Sequence, residues 1–192
     1  MPRPREFDRD RAVQRAMELF WRQGYEATSV QELGAYLGLN PGSLYNTFKD
    51  KHTLFLEALG CYQEREHAAA CAHFNATASG RAAIEQFLTA VVDIDVNDPD
   101  RKGCLMVNSA TELADRDPAV RARVVASCDQ MTALLRAAVV EGQRAGEIDA
   151  HSDPDALAAF LMNGLFGLRV AAKMQPDRMV LLAVVATIMR AL

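Results

Sequence analysis

A chain of 192 residues, half of them hydrophobic, can bury a core without disulfide or metal staples and fits one large domain or two small ones sharing an interface. The formal net charge of −4 argues against a globally basic, non-specific nucleic-acid binder. The charge is unevenly spread, however: residues 1–51 hold eight Lys/Arg and seven Asp/Glu, and the remaining 141 hold thirteen and eighteen, so the acidic excess lies outside the first quarter of the chain.

The start, Met1 to Asp8, carries no apolar run, so no export leader is expected. The longest apolar segment, Met179–Leu192, is interrupted by Arg190 and is shorter than the ~20 residues that cross a bilayer. The four cysteines, Cys61, Cys71, Cys104 and Cys128, form no Cys-x-x-Cys pair and are expected to be reduced. These features predict a cytoplasmic chain with no membrane partner.

In chain order, residues 1–8 read as a loose arm. Asp8 or Asp10 then caps a helix running to about Gln23, with Val13, Ala16, Met17 and Phe20 at helical spacing. Gly24 closes it in the position expected of a C-terminal glycine. Thr28-x-x-Gln31 and Ser29-x-x-Glu32 both fit a capping box for a second helix that ends at Gly38. Asn40 caps a third helix of about two turns, with Pro41 at its first position, where a missing N–H costs nothing.

Longer helices follow: about Asp50 to Asn75, a break at Ser79-Gly80, then a helix to about Val96. Asn97-Asp98-Pro99-Asp100 is a loop, followed by a helix from Gly103 to Ala114. Asp117-Pro118 opens a helix to about Ala145, Asp153-Pro154 one to about Met174, and Gln175-Pro176 the last. No segment alternates with period two for long. The fold class is all-α with about nine helices: an N-terminal three-helix segment, residues 1–51, and a C-terminal helical half, residues 52–192.

Two short helices joined by a glycine turn, the second opening on a strong cap and bearing small polar side chains, are suited to entering a major groove. Gly42 keeps the helix start slim. Ser43 and Asn46 offer short hydrogen-bonding groups, and Tyr45 offers a phenol for phosphate and a ring for a thymine methyl. Thr28, at the start of the second helix, has a hydroxyl to present to a phosphate, and Lys51 is a phosphate partner. Leu44 and Phe48 are expected to point inward.

Ala16, Leu19-Phe20, Gly24-Tyr25, Thr28-Ser29-Val30, Leu33, Leu37-Gly38-Leu39, Pro41-Gly42-Ser43-Leu44-Tyr45, Phe48, Lys51 and Leu54-Phe55 together resemble the DNA-binding domain of TetR/AcrR-type transcriptional regulators. The resemblance implies a homodimer that represses a neighbouring operon and leaves a palindromic operator when a small molecule enters the C-terminal half. It also implies a DNA contact set here of Thr28, Asn40, Pro41, Gly42, Ser43, Tyr45, Asn46, Thr47 and Lys51. Two positions depart from the pattern. Gly34 stands where alanine is common, at about 1 kcal/mol of helix propensity, and would permit closer packing. Asn46-Thr47 replaces a frequent aromatic–histidine pair, so operator bases do not carry over.

A dimer is expected through the last two helices. Phe160, Gly164, Gly167 and Ala171 line one stripe of the penultimate helix, Leu157, Leu161, Leu165 and Leu168 another, and Met179–Met189 is apolar all round except at Thr187. Such a helix needs cover on every side. Tyr62, Phe87, Cys104, Met106, Asn108, Met131, Asn163 and Phe166 are candidate lining of an effector pocket for an uncharged or weakly charged apolar ligand, against the alternative that each is plain core.

Cys104 follows Arg101-Lys102-Gly103 at a helix start, which favours thiolate. It reads either as a sensor of electrophiles or oxidants or as a small buried hydrophobe. His67, Cys71 and His73 do not share one helix face, and no metal or other cofactor is expected. No nucleophile–base pair, phosphate loop or Gly-x-Ser-x-Gly elbow occurs. The sequence therefore reads as a non-enzymatic regulator of transcription; the alternative is a helical ligand-binding or scaffolding protein without DNA function.

Overall fold

The computed structural model describes residues 8–192, so most of the expected N-terminal arm lies outside the described residues. Nine α-helices and no strand occur among them: α1 Arg9–Gln23, α2 Val30–Leu37, α3 Pro41–Phe48, α4 Lys51–Ala76, α5 Gly80–Val96, α6 Leu105–Leu113, α7 Pro118–Arg144, α8 Pro154–Met174 and α9 Arg178–Arg190.

The helix starts follow cap chemistry. Asp8, not Asp10, caps α1 by accepting from the Arg11 N–H, and Ser29 with Glu32 forms the capping box of α2. The rival box at Thr28 is closed because that hydroxyl turns inward and donates to the Gly24 carbonyl at 2.6 Å. The last helix starts later than Gln175-Pro176 because Asp177 accepts from the N–H groups of Met179 and Val180. The sixth also starts later than Gly103, which takes φ +64° in the preceding turn.

Two cores divide the chain. The first joins α1, α2 and α3 to the N-terminal half of α4, and continues through Leu105, Met106 and Leu113 of α6 to Val120 and Val124 of α7. The second joins α5, the C-terminal half of α7, α8 and α9. The first core thus runs well past residue 51: Leu54, Phe55, Ala58, Leu59 and Tyr62 of α4 complete it. Among the described residues α8 is the one helix long and apolar enough to cross a membrane. Its stripe of Ala158, Leu161, Leu165, Leu168 and Ala172 is buried in the second core, while Phe160 and Val170 are exposed.

Helices α5 and α7 cross closely at Gly80. A Cβ there would lie 2.1 Å from the Ala138 carbonyl oxygen and 2.6 Å from the Gly142 nitrogen, both backbone atoms. Gly80→Ala is therefore expected to lower unfolding free energy by about 3 kcal/mol, since neither atom can yield without shifting a helix. A urea titration of the purified protein checks this, and an unchanged midpoint would refute the close crossing.

Candidate DNA-reading site and effector cavity

Helix α3 is held from beneath and open above. Leu44 and Phe48 are buried at 0% and 1% exposure, and they seat the helix on the first core. On the outer face Gly42, Tyr45 and Asn46 are exposed and Ser43 is half-buried. Tyr45 is 48% exposed, a large apolar ring left in solvent. Asn40 caps the helix by accepting from the Ser43 N–H at 2.8 Å, and Pro41 opens it. A Cβ at Gly42 would make only ordinary contact, 3.4 Å from Asn40 Oδ1. Nothing inside the fold demands glycine there.

Two turns fix the tilt of α3. A Cβ at Gly34 would lie 2.8 Å from the Leu39 carbonyl oxygen, and the Leu39 N–H donates to Gly34 O at 2.8 Å. Glycine in α2 is thus the condition for the tight α2–α3 turn. At the other end Lys49 takes φ 69°, ψ −61°, and the Asp50 N–H donates to Phe48 O at 2.8 Å. That is a γ-turn, a strained conformation, and it passes the chain from α3 straight into α4. The pattern of hydrophobic spacing gave no sign of it.

The other expected DNA contacts divide. Lys51 is half-buried, with its ammonium 4.2 Å from the centroid of the Tyr25 ring. The Thr47 hydroxyl donates to Ser43 O at 2.8 Å. Thr28 is a correction: it is fully buried, and its hydroxyl bonds Gly24 O and Gln23 Oε1. It locks the α1–α2 turn and presents no hydroxyl to a phosphate.

In the C-terminal half a small cavity of about 50 Å³ is lined by Tyr62, Cys104, Met106, Met131 and Phe166, all expected, together with Glu66, Ser127, Cys128, Met162, Leu165 and Arg169. Three expected lining residues lie elsewhere. Phe87 packs in the second core beside Phe74 and His73. Asn108 donates to Lys102 O and accepts from Lys173 Nζ outside the cavity. Asn163 is exposed on α8 and donates to Ala159 O, because it falls on the Phe160–Gly167 stripe rather than on the inward one.

Sequence reasoning missed the charged floor of this cavity. Arg169 donates to Asp95 Oδ1 and Glu66 Oε2, each at 3.3 Å. Asp95 is 6% exposed and its Oδ2 has no hydrogen-bond partner. Burial raises the Asp95 carboxyl above its usual range, with Arg169 pulling the other way. Burial alone would lower the Arg169 guanidinium, but Cys104, Tyr62, Asp95 and Glu66 around it outweigh that and hold it above its ordinary value. The signal was present in the chain: Arg169 shares a face of α8 with Met162 and Phe166 at helical spacing. Tyr62 is buried, and burial pushes its phenol well up; its hydroxyl donates to Cys104 Sγ at 3.6 Å.

On metals, His67 Nε2 lies 3.4 Å from Cys71 Sγ, while His73 Nε2 meets the Ala83 carbonyl at 2.9 Å. No group of three or more His, Cys, Asp or Glu side chains placed to hold a metal occurs among the described residues.

Comparison with known proteins agrees with this architecture. Residues 13–58 match the family model described as bacterial regulatory proteins, tetR family, and residues 80–188 match the tetracyclin repressor-like C-terminal domain. The chain is 33% identical over 179 residues to the HTH-type transcriptional regulator YezE of Bacillus subtilis, covering 92% of each protein. It is 31% identical over 174 residues to the HTH-type transcriptional repressor ComR of Escherichia coli, covering 89% of this chain and 82% of that one. Among solved structures, a cysteine-substituted form of the TetR family transcriptional regulator CifR, complexed with 26-bp double-strand operator DNA, superposes with a TM-score of 0.86 at 36% identity over 98% of each chain. With both halves matched and relatives aligned along nearly the whole length, the chain belongs to the TetR family of bacterial transcriptional regulators, proteins that act on genes rather than as enzymes.

Proposed function

We propose that this protein is a cytoplasmic, homodimeric repressor that binds a palindromic operator through α3 and releases it when a small molecule occupies the cavity between α4, α6, α7 and α8. The observation that carries this reading is the geometry of α3: two buried anchors, Leu44 and Phe48, under an exposed face of Gly42, Ser43, Tyr45 and Asn46. A two-turn helix spans few base pairs, so a second copy about one DNA turn (~34 Å) away is needed to read a full site. The operator-bound relative supports the same mode of action.

The pairing surface is the outer face of α8 and α9. Phe160, Val180, Ala183, Val184 and Thr187 line one apolar trough there, and a Cβ at Gly167 would meet nothing within 4 Å. The cavity walls are mostly apolar, with Tyr62 and Arg169 as polar anchors. This fits a small apolar effector carrying one hydrogen-bond acceptor. Cys104 lines the same cavity, so its modification is a second way to fill it. Labelling Cys104 to completion with iodoacetamide, in a variant lacking the other cysteines, should weaken operator binding; unchanged affinity would assign Cys104 to packing alone.

Binding to a DNA fragment from upstream of the protein's own coding sequence tests the main reading. Affinity should fall steeply with salt as phosphate contacts release counterions. Tyr45→Ala should cost about 1–3 kcal/mol of operator affinity, and it should leave thermal stability intact because the ring is half in solvent. Native affinity in the Tyr45→Ala protein would remove α3 from the DNA interface. A helical ligand-binding protein without DNA function predicts no retardation at any salt concentration.

A further inference from the structure

Trp21 lies in the last turn of α1, in the DNA-reading half, yet it is bonded to the rim of the effector cavity. Its Nε1 donates to the Gly103 carbonyl at 2.9 Å, one residue before Cys104. Its ring meets the Tyr62 ring edge-on, with centroids 4.9 Å apart at 75°, and Tyr62 in turn reaches Cys104 Sγ. Lys102 Nζ and Arg65 Cζ each lie 5.1 Å from the Trp21 ring centroid. Next door, Arg22 pairs with Asp100 at 3.0 Å.

The far end of α6 is tied to the same half. The Glu112 carboxylate accepts from the N–H groups of Tyr25 at 3.0 Å and Glu26 at 2.8 Å. Helix α6 is therefore a nine-residue strut: the turn that leads into it is bonded to the last turn of α1, its far end grips the turn leading into α2, and Met106 in its first turn faces the cavity. Gly103 is itself pinned from the other side: a Cβ there would lie 3.3 Å from Lys173 Cδ and 3.7 Å from Arg169 O of α8.

We propose that Trp21 is the positioning residue through which occupancy of the cavity sets the orientation of the DNA-reading half; this rests on the repressor reading above. An occupant that displaces Tyr62 or the Gly103–Cys104 turn cannot do so without moving the indole, because ring contact and hydrogen bond join the same two neighbours. The indole sits in the last turn of α1, and α1 shares one core with α2 and α3, so the displacement is delivered to the recognition helix. Coupling of this kind is a free energy linking two sites through a packed element with alternative positions.

The test is a double-mutant cycle on operator affinity. Ser127→Leu puts a larger side chain into the roughly 50 Å³ cavity and stands in for an occupant. Trp21→Phe keeps a ring against Tyr62 and removes the N–H donor. Ser127→Leu is expected to lower operator affinity about tenfold in the native background and less than about twofold in Trp21→Phe. A purely structural indole would weaken stability and binding but leave the effect of cavity filling unchanged, so equal fold losses in both backgrounds overturn the proposal. Far-UV circular dichroism confirms folding, and Met131→Phe replaces Ser127→Leu if that variant fails to fold. Trp21 is the sole tryptophan, so its emission reads the junction directly, and an emission maximum unmoved by cavity filling also overturns the proposal. If the native protein does not retard its upstream fragment at all, it is the repressor reading that fails.

Discussion

Val184→Glu is expected to convert the protein to a folded monomer and to weaken operator binding about 100-fold or more, since two half-site contacts made as one unit gain that much over a single one. Val184 is 43% exposed on α9, beside Val180 at 58% and Phe160 of α8 at 42%. Three large apolar side chains left in solvent on adjoining helices form a contiguous patch of the kind that marks an interface. The inward stripe of α9, Leu181, Val185, Ile188 and Met189, is already buried in the second core. A carboxylate at Val184 therefore leaves the monomer core untouched but would sit unpaired and desolvated at the centre of the pair. Light scattering coupled to size exclusion reads the mass, and anisotropy on a labelled operator reads the affinity. A dimer that tolerates the glutamate, or a monomer with native operator affinity, would remove this face from the assembly.

Arg169→Met is expected to destabilise the fold by about 3 kcal/mol at neutral pH, because removing one partner leaves a buried charge uncompensated. Asp95 bears the loss: it is 6% exposed, and Arg169 supplies its hydrogen bond through Oδ1. Glu66 is more exposed, at 32% for the side chain, and recovers water. The pH dependence follows from the sign of the Asp95 shift. Its folded-state pKa lies above the ordinary carboxylate value, with burial the largest cause. The folded state thus holds that proton more tightly than the unfolded chain, and this group favours folding at low pH and opposes it as pH rises through its raised pKa. Without the guanidinium, which pulls it down, the Asp95 pKa rises further. The deficit of Arg169→Met relative to the native protein should therefore shrink as pH is lowered from neutral toward the acid range. Thermal melts of both proteins across that range check it. A deficit that grows on acidification would show that Asp95 is not the group left stranded.

The N-terminal third was legible because its signals are local. Asn40-Pro41 specifies a helix start whatever surrounds it, since the cap bonds an N–H three residues on. The spacing of Leu44 and Phe48 shows which face goes down, and what is left, Gly42, Ser43, Tyr45 and Asn46, is the outer face. Helix starts with two candidate caps were less legible. Thr28 and Ser29 are chemically equivalent in the chain, and only the return of the Thr28 hydroxyl onto Gly24 O selects Ser29. The same contact removes Thr28 from the outer surface. A residue's distance from a helix start does not report which way its side chain turns.

The cavity was legible in part for the opposite reason. Tyr62, Cys104, Met106, Met131 and Phe166 converge from four helices, and their apolar character marked them as interior without saying which interior. Phe87 has the same character and went to the second core. Asn108 and Asn163, also expected in the lining, each bond a backbone carbonyl near them in sequence instead. The anchors that line the cavity include Tyr62 and Arg169. Arg169 reads in isolation as a solvated charge, and it is buried only because Glu66 and Asp95 arrive from α4 and α5 to meet it.

By itself the sequence determined the all-α class, the caps that begin most helices, the inward and outward faces of α3, and the family, because each depends on neighbours within about one helical turn or on a motif read in order. The tertiary structure decided that Arg169 lies on a cavity floor, and that Trp21 and Glu112 tie the turn before α6 and its far end to the DNA-reading half. Those contacts join residues from 74 to 103 positions apart for Arg169, and 82 and 86–87 positions apart for Trp21 and Glu112. No local pattern encodes such pairs; they exist only once the helices have packed and the desolvated groups must find partners.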